Sequence, residues 1–330
     1  MASWRKRFGM LPEPEPAPMP RPVFVAGCMR SGTTFLLDKL SQHPQLLKVG
    51  AELREVWTEI GDAASTGPKS EAKGAEQAHF LAATNMTHYF TNFIRESRNL
   101  RRHLMRAKNY YRYGQGRIRY DWQQIRPVNK STQLVNKLAY AHRLFPQSHI
   151  ILIIRGIEGH CASMKRFIEY NYQRDQTVHI FPEQTDASWT RLPESALPEG
   201  ISSDKRYPNH FATIPKMWLQ LNLRALRDLE SLPRDAYRVV LYEELVQEQT
   251  HYMEQLLDFL ALAPKHQAVA AKIARSKLMI TNTSTQGDPL EKWKKHLDKS
   301  ELSQLNDIKQ SPDYLEFKRR LDALKLPGPQ

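Results

Sequence analysis

The sequence has few of the features that mark secreted, zinc-binding or membrane-spanning proteins. Its 330 residues include only two cysteines, Cys28 and Cys161, too few for a disulfide framework or a zinc site. No apolar run approaches the roughly 20 residues that a bilayer span requires. The N-terminus carries basic residues but lacks the apolar core of a secretory signal. These absences favour a cytoplasmic protein without a membrane span.

An excess of positive charge accompanies enough apolar residues for a substantial core. Apolar residues make up 41% of the chain, and its formal net charge is +13. Positive surface attracts nucleic acid, anionic membranes and negatively charged small molecules or glycans. The basic residues 95–119 are either an acceptor-binding surface or the solvated face of surface helices. No nucleic-acid-binding module accompanies them, so we expect no nucleic-acid partner.

Strand-like and helix-like segments alternate along the chain. Apolar runs at residues 23–26, 46–49, 149–154 and 237–241 predict strands. The run at 149–154 is continuously apolar, as in a parallel strand buried on both faces. Helical patterns lie between these runs, including one over residues 130–145 that ends before Pro146. The alternation predicts a three-layer α/β fold, with a P-loop-like parallel sheet flanked by helices.

The domain organisation follows from changes in composition. Residues 1–21, proline-rich in their second half, predict a flexible N-terminal arm. We interpret residues 22–330 as one domain with insertions at about 61–128 and 171–209. The second insertion is rich in polar residues and prolines and is expected to run over the surface as a long loop.

The most informative segment begins at residue 23 and reads V-F-V-A-G-C-M-R-S-G-T-T-F-L-L. A strand, a loop bounded by Gly27 and Gly32, and a helix together aim backbone N–H groups at one spot, which favours an anion. The spacing nearly matches the triphosphatase loop G-x-x-x-x-G-K-[ST], but Thr33 replaces the lysine and Arg30 is the only cation. Because the planar guanidinium of an arginine can bind a single phosphate group, the loop predicts a ligand that ends in one phosphate and not in a triphosphate. The alternative is an ordinary sharp turn, which would also explain the two glycines.

A second candidate anion site follows the apolar run at 149–154. Arg155 ends that run, which places its guanidinium at the carboxyl edge of the predicted sheet, where α/β sheets bind ligands. Ser163 follows eight residues later and is spaced to assist Arg155. A strand-end charge and a surface hydroxyl in solvent are the alternative. No acidic metal-binding cluster follows either strand, so no metal is expected.

Together these segments resemble the sulfotransferases that use 3′-phosphoadenosine 5′-phosphosulfate (PAPS). In that family a loop ending in S-G-T-T binds the 5′-phosphosulfate, and a strand-end arginine and a downstream serine bind the 3′-phosphate. The resemblance extends to H-P-Q-L-L from residue 43, N-K-S-T from 129, Y-E-E-L from 242 and G-D-P-L-E-K-W-K-K from 287. It implies seven donor-binding residues: Arg30, Ser31, Gly32, Thr33, Thr34, Arg155 and Ser163.

The resemblance also implies catalytic residues. Cytosolic members place a histidine in a K-T-H segment, whereas residues 130–132 here read K-S-T. Carbohydrate- and tyrosine-modifying members place a glutamate after the first helix, where this chain has Glu52, so we predict Glu52 as the general base. Lys130 matches a lysine aimed at the transferred group, alongside Arg30 in the loop. Trp293 and Lys294 match a segment that closes over the donor. The structural alternatives are a solvated glutamate, an exposed lysine and a core tryptophan.

The predicted activity is in-line transfer of a sulfuryl group from PAPS to an acceptor hydroxyl, without metal and with adenosine 3′,5′-bisphosphate (PAP) as product. The acceptor is left open between a carbohydrate, a lipid and another small molecule, with an anionic glycan or lipid as candidates. The oligomeric state is open as well. A P-loop-type small-molecule or nucleoside kinase is the alternative enzyme, disfavoured by the missing lysine. An anion- or nucleic-acid-binding module is the non-enzymatic alternative.

Overall fold

A parallel sheet of five strands, in the order β2-β3-β1-β4-β8, forms the centre of the fold. The computed structural model describes residues 21–63, 71–98, 119–182, 186–207, 210–276 and 288–328. The predicted arm, apart from its last residue, and most of the basic residues 95–119 lie outside these ranges. The strands are β1 (Val23–Ala26), β2 (Leu46–Lys48), β3 (Arg126–Lys130), β4 (His149–Ile154), β5 (Thr177–Ile180), β6 (Thr190–Pro193), β7 (Arg206–Tyr207) and β8 (Tyr237–Leu241).

Helices occupy both faces of this sheet, and none within the described ranges is long and apolar enough to cross a membrane. In chain order they are α1 (Thr33–Leu40), α2 (Phe80–Ser97), α3 (Leu138–Leu144), α4 (Ile157–Asp175), α5 (Thr213–Glu230), α6 (Tyr242–Gln247), α7 (Gln249–Phe259), α8 (Gln267–Arg275), α9 (Lys299–Lys309) and α10 (Pro312–Leu324). Three short helical turns lie near the carboxyl edge of the sheet or in the segment that covers this edge. They are two turns of 3-10 helix, Thr132–Leu134 and Lys292–Lys295, and one π-helical turn, Val56–Ile60.

Two apolar layers sandwich the sheet, and alternate residues of each strand enter opposite layers. In β1, Phe24 and Ala26 join the layer that includes α3, α4 and α5, while Val23 and Val25 join the layer formed by α1, α7 and α8. Phe24 anchors the first layer through ring contacts, with its centroid 5.4 Å from that of Trp57. The predicted three-layer α/β fold is confirmed.

The prediction of one helix over residues 130–145 is wrong in its first half. Lys130 ends β3, which pairs with β1, and the helix begins only at Leu138. Two side chains set this geometry. Ser131 accepts a hydrogen bond from the backbone N–H of Gln133 and opens the short turn, while Asp228 of α5 accepts from the N–H of Leu138 at 2.8 Å. The helix start is therefore fixed by a carboxylate from a distant part of the chain.

The segment at 171–209 is also more regular than expected. Helix α4 continues to Asp175, and β5 then pairs antiparallel with both β6 and β7 in a small second sheet. The strands of this small sheet are difficult to predict from the sequence because they are short and polar. Pro193 also argues against a strand, but it stands at the end of the edge strand β6, a position that tolerates proline. The small sheet lies against α4, whose residues line the candidate site.

Candidate donor and transfer site

The loop between β1 and α1 makes two close approaches that only glycine allows. A Cβ on Gly27 would lie 2.4 Å from the carbonyl oxygen of Ile153, and one on Gly32 would lie 2.4 Å from the ring of Tyr242. Gly32 also has a φ of 95° and caps α1 without a side-chain hydrogen bond. Since the first N–H groups of a helix lack acceptors within it, the loop and helix start offer donors to an anion.

The hydroxyl groups of this loop are only partly satisfied. Ser31 is buried, and its Oγ has no hydrogen-bond partner among the described residues. Thr33 is buried and Thr34 half-buried in the first turn of α1. A buried hydroxyl without a partner costs free energy, so Ser31 indicates a place where a bound group completes the structure.

The second candidate anion site lies directly against the loop. The Nε of Arg30 donates to Ser163 Oγ at 3.2 Å, and Nη1 of Arg155 donates to the carbonyl oxygen of Arg30 at 3.2 Å. Arg30, Arg155, Ser163 and Trp293 line one cavity of about 310 Å³. The backbone of Arg30 therefore belongs to the loop, while its side chain belongs to the cavity that holds Arg155 and Ser163.

Arg155 is held in this cavity without a close carboxylate partner. Its guanidinium lies 4.8 Å from the centre of the Tyr242 ring, and Nη2 donates to the carbonyl oxygen of Pro289 at 3.1 Å. Its Nε makes no hydrogen bond within the described chain and lies 4.0 Å from Glu243. That carboxylate instead accepts from the N–H of Gly156 at 3.1 Å. Arg155 thus carries one buried N–H that no described residue satisfies with a hydrogen bond.

The charges around the cavity are predominantly positive. Burial, followed by repulsion from Arg155 and Arg166, lowers the pKa of Arg30. Burial, followed by repulsion from Arg155 and Arg30, lowers the pKa of the neighbouring His160 to about 3. At the cavity rim, burial and then Arg166 lower the pKa of His296. An anion bound in the cavity would relieve this repulsion.

The C-terminal segment closes one side of the cavity, but not through both predicted residues. Trp293 lines it, together with Pro289, Lys292 and His296. Lys294 does not line it, and its ammonium group pairs with Glu291. Sequence reasoning missed Lys292, and it also missed Arg166, which lies three residues beyond Ser163 on the same face of α4. Helical spacing from Ser163 is the signal that could have identified Arg166.

Glu52 and Lys130 meet at the carboxyl end of β3, next to the strand that leads into the loop. Nζ of Lys130 donates to Glu52 Oε1 at 2.6 Å, and Thr132 Oγ1 donates to Oε2 at 3.2 Å. Arg54 Nε donates to Oε2 at 3.0 Å. Burial, the largest influence, raises the pKa of Glu52, but Lys130 and Arg54 together outweigh it and leave that pKa lowered. Glu52 is therefore an ionised carboxylate at neutral pH, able to accept a proton.

The neighbours of Glu52 are cations and a hydroxyl. No three His, Cys, Asp or Glu side chains within the described ranges gather as the ligands of a metal ion would.

A sequence profile described as "Sulfotransferase family" matches residues 22–266, about three quarters of the chain. The chain belongs to the sulfotransferase family. The resemblance drawn from its motifs is thereby confirmed, and the match gives no support to the kinase alternative. A search of curated proteins finds no match to this sulfotransferase.

Several solved sulfotransferases are similar to this chain over most of its length. A domain of the Synechococcus PCC 7002 olefin synthase is 17% identical, covers 96% of this chain and 100% of its own, and has a TM-score of 0.46. The sulfotransferase STF9 from Mycobacterium avium is 14% identical, with 99% and 82% covered and a TM-score of 0.47. Mouse SULT7A1, solved with PAP, is 12% identical, with 92% and 89% covered and a TM-score of 0.41.

Proposed function

We propose that this sulfotransferase moves the sulfuryl group of PAPS to an acceptor hydroxyl. The observation that carries the proposal is the contact between the glycine loop and the Arg155 cavity, which joins two anion-binding regions through one residue, Arg30. PAPS carries phosphate groups at both ends of its ribose, so it requires two such regions side by side. The buried Ser31 hydroxyl, which has no hydrogen-bond partner among the described residues, lies in the loop where such an anion would bind and supports the proposal.

The contacts refine the assignment of the donor groups. The sequence assigns Arg30 to the 5′ end of the donor, but its guanidinium reaches Ser163 and lies in the Arg155 cavity. We therefore place Arg30, Arg155 and Ser163 around the 3′-phosphate. The backbone N–H groups of the loop, with Ser31 and Thr33, are left to hold the 5′ end. Trp293, which lines the cavity, is proposed to cover the nucleotide, and Lys294 is not part of this arrangement.

The chain supplies a base and a cation for the transfer itself. PAPS provides an activated sulfuryl group when bound. Glu52 accepts the proton of the acceptor hydroxyl while that oxygen bonds to sulfur and the bond from sulfur to the bridging oxygen of PAPS breaks, with the electron pair leaving on that oxygen. Lys130 stabilises the charge that develops there. As Lys130 turns from Glu52 toward the leaving oxygen, the carboxylate loses an ion pair and its affinity for a proton increases.

Calorimetry with two nucleotides tests the donor assignment. Arg155→Ala should weaken PAP binding roughly 10- to 100-fold, since a hydrogen bond to a charged group is worth about 1.5–3 kcal/mol. It should change the binding of adenosine 5′-phosphate much less, because that nucleotide lacks the 3′-phosphate. Arg143→Ala, an exposed residue near the opposite edge of the sheet, is the control for loss of one charge. Equal losses for both nucleotides, or no PAP binding by the unaltered protein, would refute the assignment.

Transfer itself is tested with labelled PAPS and a panel of saccharides, lipids and phenols. We expect label in at least one hydroxyl-bearing acceptor, and we expect a chelator of divalent metals to leave the rate largely unchanged. Transfer that stops completely in the chelator, and returns with magnesium, would contradict the metal-free part of the proposal.

A further inference from the structure

One buried carboxamide, that of Asn129, holds the chain on both sides of Glu52, and its interpretation rests on the proposed function of Glu52 as the base. Asn129 lies in β3 and is only 1% exposed. Its Nδ2 donates to the carbonyl oxygens of Val49 at 2.7 Å and Ala51 at 3.2 Å. Its Oδ1 accepts from Nε1 of Trp57 at 3.4 Å. Both polar atoms of the amide therefore contact residues that precede or follow Glu52 in this segment.

The turn that carries Glu52 has a backbone conformation that most side chains disfavour. Val49 still belongs to the sheet, because its N–H donates to a carbonyl oxygen of β3 at 2.9 Å. The chain then leaves the sheet with two residues in the left-handed region, Gly50 at a φ of 60° and Leu53 at a φ of 49°. For leucine this conformation costs free energy and persists only where surrounding contacts impose it. The hydrogen bonds from Asn129 supply such contacts inside the turn.

Asn129 and Lys130 are neighbours in one strand and hold different parts of the Glu52 segment. Lys130 holds the carboxylate, with its Nζ 2.6 Å from Oε1, whereas Asn129 holds the backbone and the Trp57 ring. In the proposed transfer Lys130 turns toward the leaving oxygen, and Glu52 then loses that contact. The contacts of Asn129 do not depend on this movement, so they keep the turn in place while Glu52 accepts the proton. A base displaced by about 1 Å can lose roughly 100-fold in rate.

We propose that Asn129 is a positioning residue for the general base. Its carboxamide fixes the turn at residues 50–53, and the turn in turn keeps the Glu52 carboxylate beside Lys130. Asn129 lies opposite Phe24 in the register of β1 and β3, and it does not line the donor cavity. Its loss should therefore lower the rate of transfer and leave PAP affinity unaltered.

The pKa of Glu52 tests the proposal without an acceptor. Burial, the largest influence, raises that pKa in the unaltered protein, but Lys130 and Arg54 outweigh burial and keep the pKa below 4.5. In Asn129→Leu the turn should relax and the contact with Lys130 should loosen, so the pKa should rise above 4.5 because burial then dominates. Asn129→Ser, which keeps a hydroxyl donor and disturbs folding less, should show a smaller rise. Carbon NMR of protein labelled in its glutamate carboxyl groups measures the pKa, and Glu52→Gln identifies the signal.

Gln45→Leu is the matched control for loss of a buried carboxamide. Gln45 also holds distant parts of the chain, since its Oε1 accepts from the N–H of Ala263 at 2.7 Å and its Nε2 donates to Gln124 at 2.8 Å. It directly precedes β2 at the amino edge of the sheet, away from Glu52. Gln45→Leu should lower the temperature of thermal unfolding, as Asn129→Leu does, but it should leave the pKa of Glu52 and the rate of transfer unchanged.

A kinetic cycle with Glu52→Gln separates positioning of the base from general stabilisation of the fold. With saturating labelled PAPS and the panel of saccharides, lipids and phenols, Asn129→Leu should lower the rate roughly 10- to 100-fold. In the Glu52→Gln background the same substitution should cause no further loss, because its effect passes through Glu52. Equal losses in both backgrounds, or a Glu52 pKa unchanged in both Asn129 variants, would overturn the proposal. Normal transfer by Glu52→Gln alone would instead refute the proposed base, and loss of PAP affinity would locate the defect in the donor site.

Discussion

The donor cavity and the Glu52 cluster are both cationic, yet they compensate their charges in different ways. In the cavity, Arg155 is held by carbonyl oxygens and an aromatic face, and its Nε has no hydrogen-bond partner within the described chain. In the cluster, Lys130, Arg54 and Thr132 all donate to the one carboxylate of Glu52. The first arrangement gains contacts when an anion binds. In the second arrangement, Lys130 has to leave Glu52 before the two side chains can take part in the proposed transfer.

This difference suggests a division of labour. A region with unmet hydrogen bonds gains free energy from binding and is suited to holding a donor tightly. A closed ion-pair cluster contributes little to binding, but it keeps its carboxylate ionised and within reach of its lysine until a substrate competes for that lysine. Substitutions in the cluster should therefore affect the rate of transfer, and substitutions in the cavity should affect nucleotide affinity.

The largest effect is expected from Glu52→Gln. Loss of a general base lowers the rate by roughly 10²- to 10⁴-fold, whereas PAP affinity should be unchanged or slightly higher, because Lys130 is released from its ion pair. Initial rates with labelled PAPS, together with calorimetry of PAP binding, give both quantities. Glu55→Gln, an exposed residue in the same segment, is the matched control and should behave like the unaltered protein.

The pH dependence of the rate sharpens this prediction. In the free protein the pKa of Glu52 lies below the ordinary glutamate value of 4.5, so its carboxylate form persists as the pH falls. The contribution of this base to kcat/KM, which reports the free enzyme, is therefore lost only below that value. Turnover by Glu52→Gln at the normal rate would remove Glu52 from the mechanism. If the variant instead lost PAP affinity in proportion to its rate, Glu52 would act by positioning Lys130 and not as a base.

The parts of the fold predicted from sequence are those whose side chains are buried on both faces. The apolar strands β1 and β4 have the predicted bounds, because central strands buried on both faces accommodate such runs. Strand β3 was missed because its sequence, R-P-V-N-K, has the composition of a loop. Its place in the sheet depends on contacts with distant segments, such as the hydrogen bond from the N–H of Arg126 to the carbonyl oxygen of Gln45.

The candidate site shows the same limit. Arg30, Arg155 and Ser163 could be singled out because loop geometry and strand position constrain them. Lys292 could not, because a cation on a short turn looks the same in a sequence whether or not it faces a cavity. Lys294 is predicted because it matches the family's C-terminal segment, although Lys292 is the lysine that lines the cavity. Only the three-dimensional arrangement separates the two lysines.

A smaller effect is expected from Gly159→Ala, which alters the cavity without removing a charge. A Cβ on Gly159 would lie 2.9 Å from Nε of Arg155, so the guanidinium has to shift. Alanine favours a helix over glycine by about 1 kcal/mol, and α4 itself should therefore not be weakened. We expect a several-fold loss of PAP affinity in calorimetry, with a smaller loss for adenosine 5′-phosphate. Unchanged PAP affinity would show that the position of Arg155 is not important for donor binding.

The smallest effect, and the most direct probe of charge in the cavity, is a change at His296. Its pKa is lowered by burial and then by Arg166, whose Nη1 lies 3.5 Å from Nε2 of the ring. Phosphate groups of PAP would offset that positive charge, so the pKa of His296 should rise on binding, and PAP should bind more tightly as the pH falls through the histidine range. NMR titration of the ring signals with and without PAP measures the change. The ring of His142, which contacts Ser148 at the amino edge of the sheet, should titrate identically in both states. A His296 pKa that stays constant or falls on PAP binding would place the phosphates away from this rim. It would also remove the contrast between a cavity that gains contacts from an anion and a cluster whose charges are already paired.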